Sequence, residues 1–289
     1  MAEIFGIVTG AVSVAALFNN CVDTFEYIQL GRHFGQDYER CQLKLDLAKT
    51  RLGRWGEVVG VNRDERFTSA SQTDGAVKVA LGILEDMDIC FKAAEEKSKR
   101  YANRAGEEER MICDNNNMKP VFQRLHNHCR DIGRRRKNSI GILKKSAWAL
   151  YDGKSLESII NQVLSWIDEL EKLFPNEKTT YQKVVEIEIE EVNDELGLKT
   201  LKDAARDIDP DLEQALERKV ASIEGNNSVK NITLEDGARS HIGNSFSAAV
   251  LQHEILVNDR TNNSVDTISA KNESRIQVGT VYGGKGIWD

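Results

Sequence analysis

Residues 227–247 read NSVKNITLEDGARSHIGNSFS, and residues 263–283 read NSVDTISAKNESRIQVGTVYG. At an offset of 36 residues the two copies share six identities: Asn227/Asn263, Ser228/Ser264, Val229/Val265, Ile232/Ile268, Arg239/Arg275 and Gly243/Gly279. Unrelated segments of this length would share roughly one or two positions, so this is a repeat. The differences carry as much information as the identities. Lys230 faces Asp266, and Glu235 faces Lys271. If the copies stack as successive rungs of a parallel β-stack, each is an opposite-charge neighbour pair, where identical copies would set like charge on like charge. In such a stack Val229/Val265, Ile232/Ile268 and Ile242/Val278 would line a dry interior. Asn227/Asn263 would open an amide ladder, and Gly243/Gly279 would serve turns between short strands.

Two rungs give about 9–10 Å of fibre axis at ~4.8 Å each, too short a stack to be stable alone. The surrounding segment, 226–289, contains no proline, loses helical periodicity and is rich in Asn, Ser, Thr and Gly. It lacks the apolar mass for a core of its own. The expectation is a tail that is disordered when soluble and forms a two-rung β-solenoid in an assembled, amyloid state. A pair of strands in an ordinary β-appendage is the plainer alternative, but no further strand is visible to complete a sheet.

The residues before the repeat have a different grammar. Tyr38, Cys41, Leu45, Ala48, Leu52 and Trp55 recur at three- and four-residue steps, as do Val77, Ala80, Leu81, Leu84, Met87, Phe91 and Ala94. A third stripe, Leu156, Ile159, Ile160, Val163, Ile167, Leu170 and Phe174, is closed by Pro175, which cannot continue a helical ladder. Residues 121–150 read as a longer helical stretch broken near Gly133 or Gly141. Residues 185–192 alternate like a strand but carry helical spacing through Val185, Ile189, Val192 and Leu196; helix is the reading adopted. Asp209 as N-cap, Pro210 in the first turn, the apolar Leu212, Leu216, Val220 and Ile223, and Gly225 as a stop punctuate the last helix. Helices with such stripes must bury them against one another, giving an all-α globular domain over residues 1–222, with the tail spanning 218–289.

Residues 4–22 carry no charge, a length within the ~17–25 residues that can cross a bilayer. Ile4, Leu17 and Phe18 supply apolar mass, and Gly6 and Gly10 form a Gly-x-x-x-Gly pair that lets helices approach in lipid. Asn19 and Asn20 dilute the run and Asp23 follows, so a buried first helix of the globular domain fits equally well. A conditional membrane segment over about 4–30 accommodates both readings.

A net charge of −7 argues against a nucleic-acid partner. The basic run Arg134, Arg135, Arg136 and Lys137 reads as a solvated helix face, with anionic lipid as the sharper alternative. Five scattered cysteines, Cys21, Cys41, Cys90, Cys113 and Cys129, suit reduced thiols in a cytoplasmic protein, and the start of the chain has no secretory pattern. Gly153-Lys154-Ser155 mimics the end of a phosphate-binding loop, but Trp148 stands where the leading glycine is needed. His126, His128 and Cys129 cluster without a second ligand pair. No enzyme, catalytic residue, cofactor or metal is expected.

Several blocks resemble the fungal HET-s/HET-S incompatibility proteins. The stretch FGIVTGAVSVAALFNNCVDTFEYIQLGRHFGQDYERCQLKLDLAKTRL (5–52) looks like the start of their HeLo domain. KKSAWALYDGKSLE (144–157) and EIEIEEV (186–192) are similar to its interior, and the repeats with the ending YGGKGIWD (282–289) resemble the prion-forming domain. The resemblance implies a HeLo-like helical bundle whose tail folds as a β-solenoid on an existing fibre, or on an NLR-like receptor bearing a similar motif. Tail folding would release the N-terminal segment into membrane lipids in self/non-self recognition and cell death, moving the protein from cytoplasm to plasma membrane. It further implies self-assembly, a possible soluble homodimer and contact with related HET-s/HET-S alleles. Asp23 and His33, beside the apolar segment, point to a toxicity-competent member. The last helix, overlapping the tail's boundary, offers a physical coupling. Departures from the family pattern are Gly237 opposite Glu273, which forgoes a charge pair, and Thr280 opposite Asn244, which breaks a second amide ladder. The rival reading is a soluble helical adaptor whose tail is only an assembly tag.

Overall fold

The computed structural model describes residues 12–69, 73–114, 117–136, 147–223, 226–243, 245–246, 262–279 and 281–282. The chain divides into two compact units, Met1–Ala215 and Leu216–Asp289. Nine α-helices lie among the described residues: α1 (Val14–Tyr27), α2 (Tyr38–Val58), α3 (Glu65–Thr68), α4 (Gly75–Ala102), α5 (Pro120–Arg136), α6 (Gly153–Leu173), α7 (Lys178–Glu190), α8 (Glu195–Ala205) and α9 (Pro210–Ile223). The division between the units falls within α9.

In the first unit α2 is the central element, packed against α1, α5, α6, α7 and α8. Beyond the stripe legible in its sequence, it also buries Leu43, Leu47, Gln42, Lys49, Thr50, Arg51, Gly53, Arg54 and Gly56, so it is enclosed on nearly every side. Trp55, near the C-terminal end of this helix, is fully buried. The indole Nε1 donates to Leu170 O at 3.1 Å, and the ring lies 5.9, 6.5 and 6.2 Å from those of Phe18, Phe67 and Phe174. Such aromatic clusters combine large buried area with favourable ring geometry.

A central helix carrying arginines must neutralise them. Arg54 is fully buried and grips two carboxylates: Nε and Nη2 meet Glu188 at 2.8 and 2.6 Å, while Nη1 and Nη2 meet Asp209 at 3.1 and 2.7 Å. Arg136 adds a second cation on Glu188 at 2.7 Å, so this member of the basic run is turned inward. Arg51 is held by Glu171, Asp168 and the Ile208 carbonyl. The N-terminal ends of α6 and α9 are capped by Asp152, which accepts from Ser155 N, and Asp209, which accepts from Leu212 N.

One segment corrects the sequence reading. Helix α5 runs unbroken through Gly133 over the described residues Pro120–Arg136, Gly141 lies outside the described residues, and Trp148–Leu150 is not helical but a strand, β2, pairing in parallel with β1 (Ile28–Leu30). Tertiary pairing decides this short apolar run, and the Gly31 amide extends the ladder to Leu150 O at 2.7 Å. Residues 185–189, whose alternation mimicked a strand, lie in α7, with Tyr181, Val185, Glu188 and Ile189 buried on one face.

Among its described residues the second unit contains six strands: β3 (Asn226–Leu234), β4 (Arg239–Ile242), β5 (Ser245–Phe246), β6 (Asn262–Ala270), β7 (Arg275–Val278) and β8 (Val281–Tyr282). They form three two-stranded parallel sheets, β3–β6, β4–β7 and β5–β8.

Candidate templating surface

The three parallel ladders share one register. Asn227 pairs with Asn263, Val229 with Val265, Ile232 with Ile268, Arg239 with Arg275, Ile242 with Val278 and Phe246 with Tyr282, all at an offset of 36 residues. The described residues of 227–246 thus form one rung and those of 263–282 the next, tied through the turns as well as the strands. Lys271 N donates to Leu234 O at 2.9 Å, Gly237 N to Asn272 O at 2.7 Å, Arg275 N to Ala238 O at 2.8 Å and Gly279 N to Ile242 O at 2.9 Å.

Side chains follow the same register. Lys271 Nζ lies 3.2 Å from Glu235 Oε1, and Asn272 Nδ2 donates to Asp236 Oδ1 at 2.9 Å. Lys230 and Asp266 are exposed at equivalent positions between the pairs Val229↔Val265 and Asn231↔Thr267, without an ion pair joining them among the described residues. Both members of the closed pair are more than half exposed, so it contributes at most about 1 kcal/mol and sets alignment more than stability.

The turns explain two glycine positions. Glu235–Ala238 and Lys271–Ser274 are four-residue turns closed by Ala238 N to Glu235 O at 3.1 Å and Ser274 N to Lys271 O at 3.3 Å. Their central pairs, Asp236–Gly237 and Asn272–Glu273, all have positive φ: 54°, 76°, 52° and 60°. That is the arrangement of a type I′ turn, for which Asp-Gly is among the preferred sequences. Gly237, which charge pairing alone cast as a gap opposite Glu273, therefore has a backbone role; Glu273 adopts the same conformation at a steric cost. The Asp-Gly dipeptide was the available sequence signal. Gly243 and Gly279 repeat at φ 118° and 114°, and a Cβ on Gly243 would stand 3.0 Å from the Asn263 side chain and from the Gly279 backbone.

The apolar column is incompletely covered in a single molecule. Ile242 is buried, Val229, Ile232 and Val265 are half-buried, and Ile268 and Val278 remain 47% and 40% exposed. Each tail strand pairs with one neighbour only among the described residues, which leaves the opposite backbone edge of each rung open. An open edge offers unpaired N–H and C=O groups to another chain of matching register.

The N-terminal candidates are divided. Ile4, Gly6 and Gly10 lie outside the described residues. Within α1, Val14, Phe18, Cys21, Val22 and Phe25 are buried and Leu17 and Asp23 half-buried. Phe18 is 2% exposed and lies so close to α2 that a Cβ on Gly56 would come within 2.1 Å of its ring. His33 is exposed in the short 3-10 segment Arg32–Asp37. Among the described residues no helix is long and apolar enough to cross a membrane. Sequence reasoning missed the Arg54–Glu188–Asp209 cluster, because a charge on a helix announces burial only when its partners, 134 and 155 residues away, are known.

Comparison with known proteins covers the whole chain. Residues 6–201 match the HeLo family, described as "Prion-inhibition and propagation", and residues 219–283 match the family described as "Het-s 218-289". Heterokaryon incompatibility protein s of Podospora anserina is 51% identical over 289 residues, with 100% of both chains covered. Heterokaryon incompatibility protein S of the same fungus is 50% identical over the same span. The solved HET-S N-terminal domain superposes with a TM-score of 0.73 at 50% identity, covering 77% of this chain and 100% of that one. A two-site variant of the HET-s N-terminal domain gives 0.71 at 50% identity, covering 73% and 99%.

Proposed function

The chain belongs to the HET-s/HET-S family of heterokaryon incompatibility proteins, and from that premise we propose that it is an amyloid-controlled effector of fungal self/non-self recognition. Its family is not one of enzymes, and its business is assembly rather than turnover. The reading assigns templating to the tail: a fibre end, a related allele or an NLR-like receptor presents a rung, and an incoming tail adds its own two rungs in the 36-residue register. Asn227, Val229, Ile232, Ile242, Gly243 and their partners Asn263, Val265, Ile268, Val278 and Gly279 form the core of that stack, aligned by the columns Lys230/Asp266 and Glu235/Lys271. The single observation that carries it is the open-edged pair of rungs among the described residues, whose exposed Ile268 and Val278 would gain cover from a further copy.

The same reading assigns execution to the helical unit, residues 1–222, with relocation from cytoplasm to plasma membrane. Tail assembly acts through α9 on the helical packing and frees the N-terminal segment, about 4–30, to enter lipid. Because α1 is packed as a core helix, this step requires it to leave Trp55 and Gly56. That burial also favours a second reading, in which the protein is an assembling adaptor without membrane activity.

Dye release from liposomes by the full-length chain separates the two. The effector releases dye when fibres of the tail are added and not before. Seeded assembly with intact liposomes would establish the adaptor instead, and no assembly on seeds would remove both.

A further inference from the structure

His241 in β4 lies in register with Gln277 in β7. The two-residue period of a strand puts both on the face that carries Arg239 and Arg275, opposite the face of Ile242 and Val278. Both side chains are half-buried. The Nε2 atom of His241 is shut off from solvent and has no hydrogen-bond partner among the described residues. A buried polar atom left unpaired is costly, and native structures rarely retain one without a reason.

The repeat supplies a candidate partner. An amide offers both a donor and an acceptor, so Gln277 can serve either protonation pattern of the neutral ring. Within one molecule β4 has β7 on one side only among the described strands. On the templated-stack reading above, on which this inference rests, the next copy sets its own β7 against the free edge of β4. Each His241 then stands between two Gln277 side chains.

We propose that His241 and Gln277 form an alternating imidazole–amide column through the stack, with the Gln277 of a neighbouring copy supplying the hydrogen bond His241 lacks alone. The position is thereby a partner-selecting contact. A template that presents an amide there closes the pair, whereas one that presents an aliphatic side chain leaves Nε2 orphaned. The adjacent charged column cannot discriminate in this way, because Arg239 and Arg275 are the same residue in both rungs. On this face of β4 and β7, discrimination falls to the column in which the two rungs differ.

The test is seeded growth of the full-length chain on fibres of the unaltered chain and of Gln277→Leu, matched for the number of ends. The unaltered chain should extend its own seeds about tenfold faster than the leucine seeds. A His241→Leu chain, having no imidazole to satisfy, should extend both within about twofold. Equal rates for the unaltered chain on both seeds overturn the proposal. Should leucine seeds fail to form, fibres mixed from ¹⁵N-labelled and ¹³C-labelled chains decide it by solid-state NMR. A correlation between the His241 ring and the Gln277 amide of another molecule is expected, and its absence from well-ordered fibres overturns the column. Failure of the unaltered chain on its own seeds would instead remove the templated reading beneath it, so the two failures are distinguishable.

Discussion

At the scale of single residues the two rungs are unequal, and the inequality is measurable. Asp236–Gly237 puts an aspartate, which tolerates the left-handed region, and a glycine in its turn, while Glu273 holds φ 60° with a full side chain. The left-handed region costs a non-glycine L-residue roughly 1–2 kcal/mol. Glu273→Gly should therefore stabilise the assembled tail by about 1 kcal/mol, read as a higher denaturant midpoint for fibre dissolution. Gly237→Ala should move the midpoint the other way. Glu273 is exposed and takes no part in the closed Lys271–Glu235 pair, so loss of its charge should matter less than relief of its backbone. A lower midpoint for Glu273→Gly would mean that the carboxylate has a role in the fibre that outweighs the strain.

At the scale of elements the decisive contact is the anchoring of α9. Burial works against ionisation of Asp209, but Arg54, with support from Arg51 and the Leu212 amide, holds its carboxyl below the ordinary carboxylate value. A carboxyl depressed in the folded state contributes stability that is complete above its unfolded value of about 3.9 and lost as pH falls through the folded one. Asp209→Asn should cost about 3–5 kcal/mol at pH 7, because it strands part of the charge on Arg54 while leaving an acceptor for the α9 cap. The deficit should shrink as pH is lowered below about 4, where the carboxyl of the unfolded chain takes up a proton before the native one does, and vanish only below the depressed native value; urea unfolding at pH 7 and across that acid range checks it. None of this was legible beforehand beyond Asp209 as a cap. The stripes of α4 and α6 could be read because their apolar residues recur on one face, with charges on the other. Helix α2 showed only one of its buried faces, since it is enclosed on nearly every side and its buried cations are paired with residues distant in sequence. Trp148–Leu150 failed for a different reason: three residues are too few to display a period, and only Ile28–Leu30 makes them a strand. The tail register was the most readable feature, because a repeat states its own alignment, although its turn geometry was overlooked in favour of charge.

At the scale of the whole molecule, the proposed activation requires that assembly in residues 216–289 be felt by a helix at the other end of the chain. Its physical content is a change in the stability of α1, whose Val14, Phe18, Cys21 and Val22 are buried in the helical unit. Hydrogen exchange of the full-length chain should show α1 amides losing protection when tail seeds are added, while amides in the centre of α2 lose less, since α2 is held from several sides. Gly56→Ala provides an independent handle. Its Cβ cannot coexist with the present position of the Phe18 ring, so α1 must shift or loosen by a cost of about 1–3 kcal/mol, with no change in the tail sequence. If release of α1 limits membrane attack, this variant should assemble at the unaltered rate and yet release liposome dye at a lower dose of seed. Assembly at the unaltered rate with unchanged α1 protection and an unchanged seed threshold would sever the tail from the membrane step. The rungs would then remain an assembly device, and the helical unit would have to act without freeing its first helix.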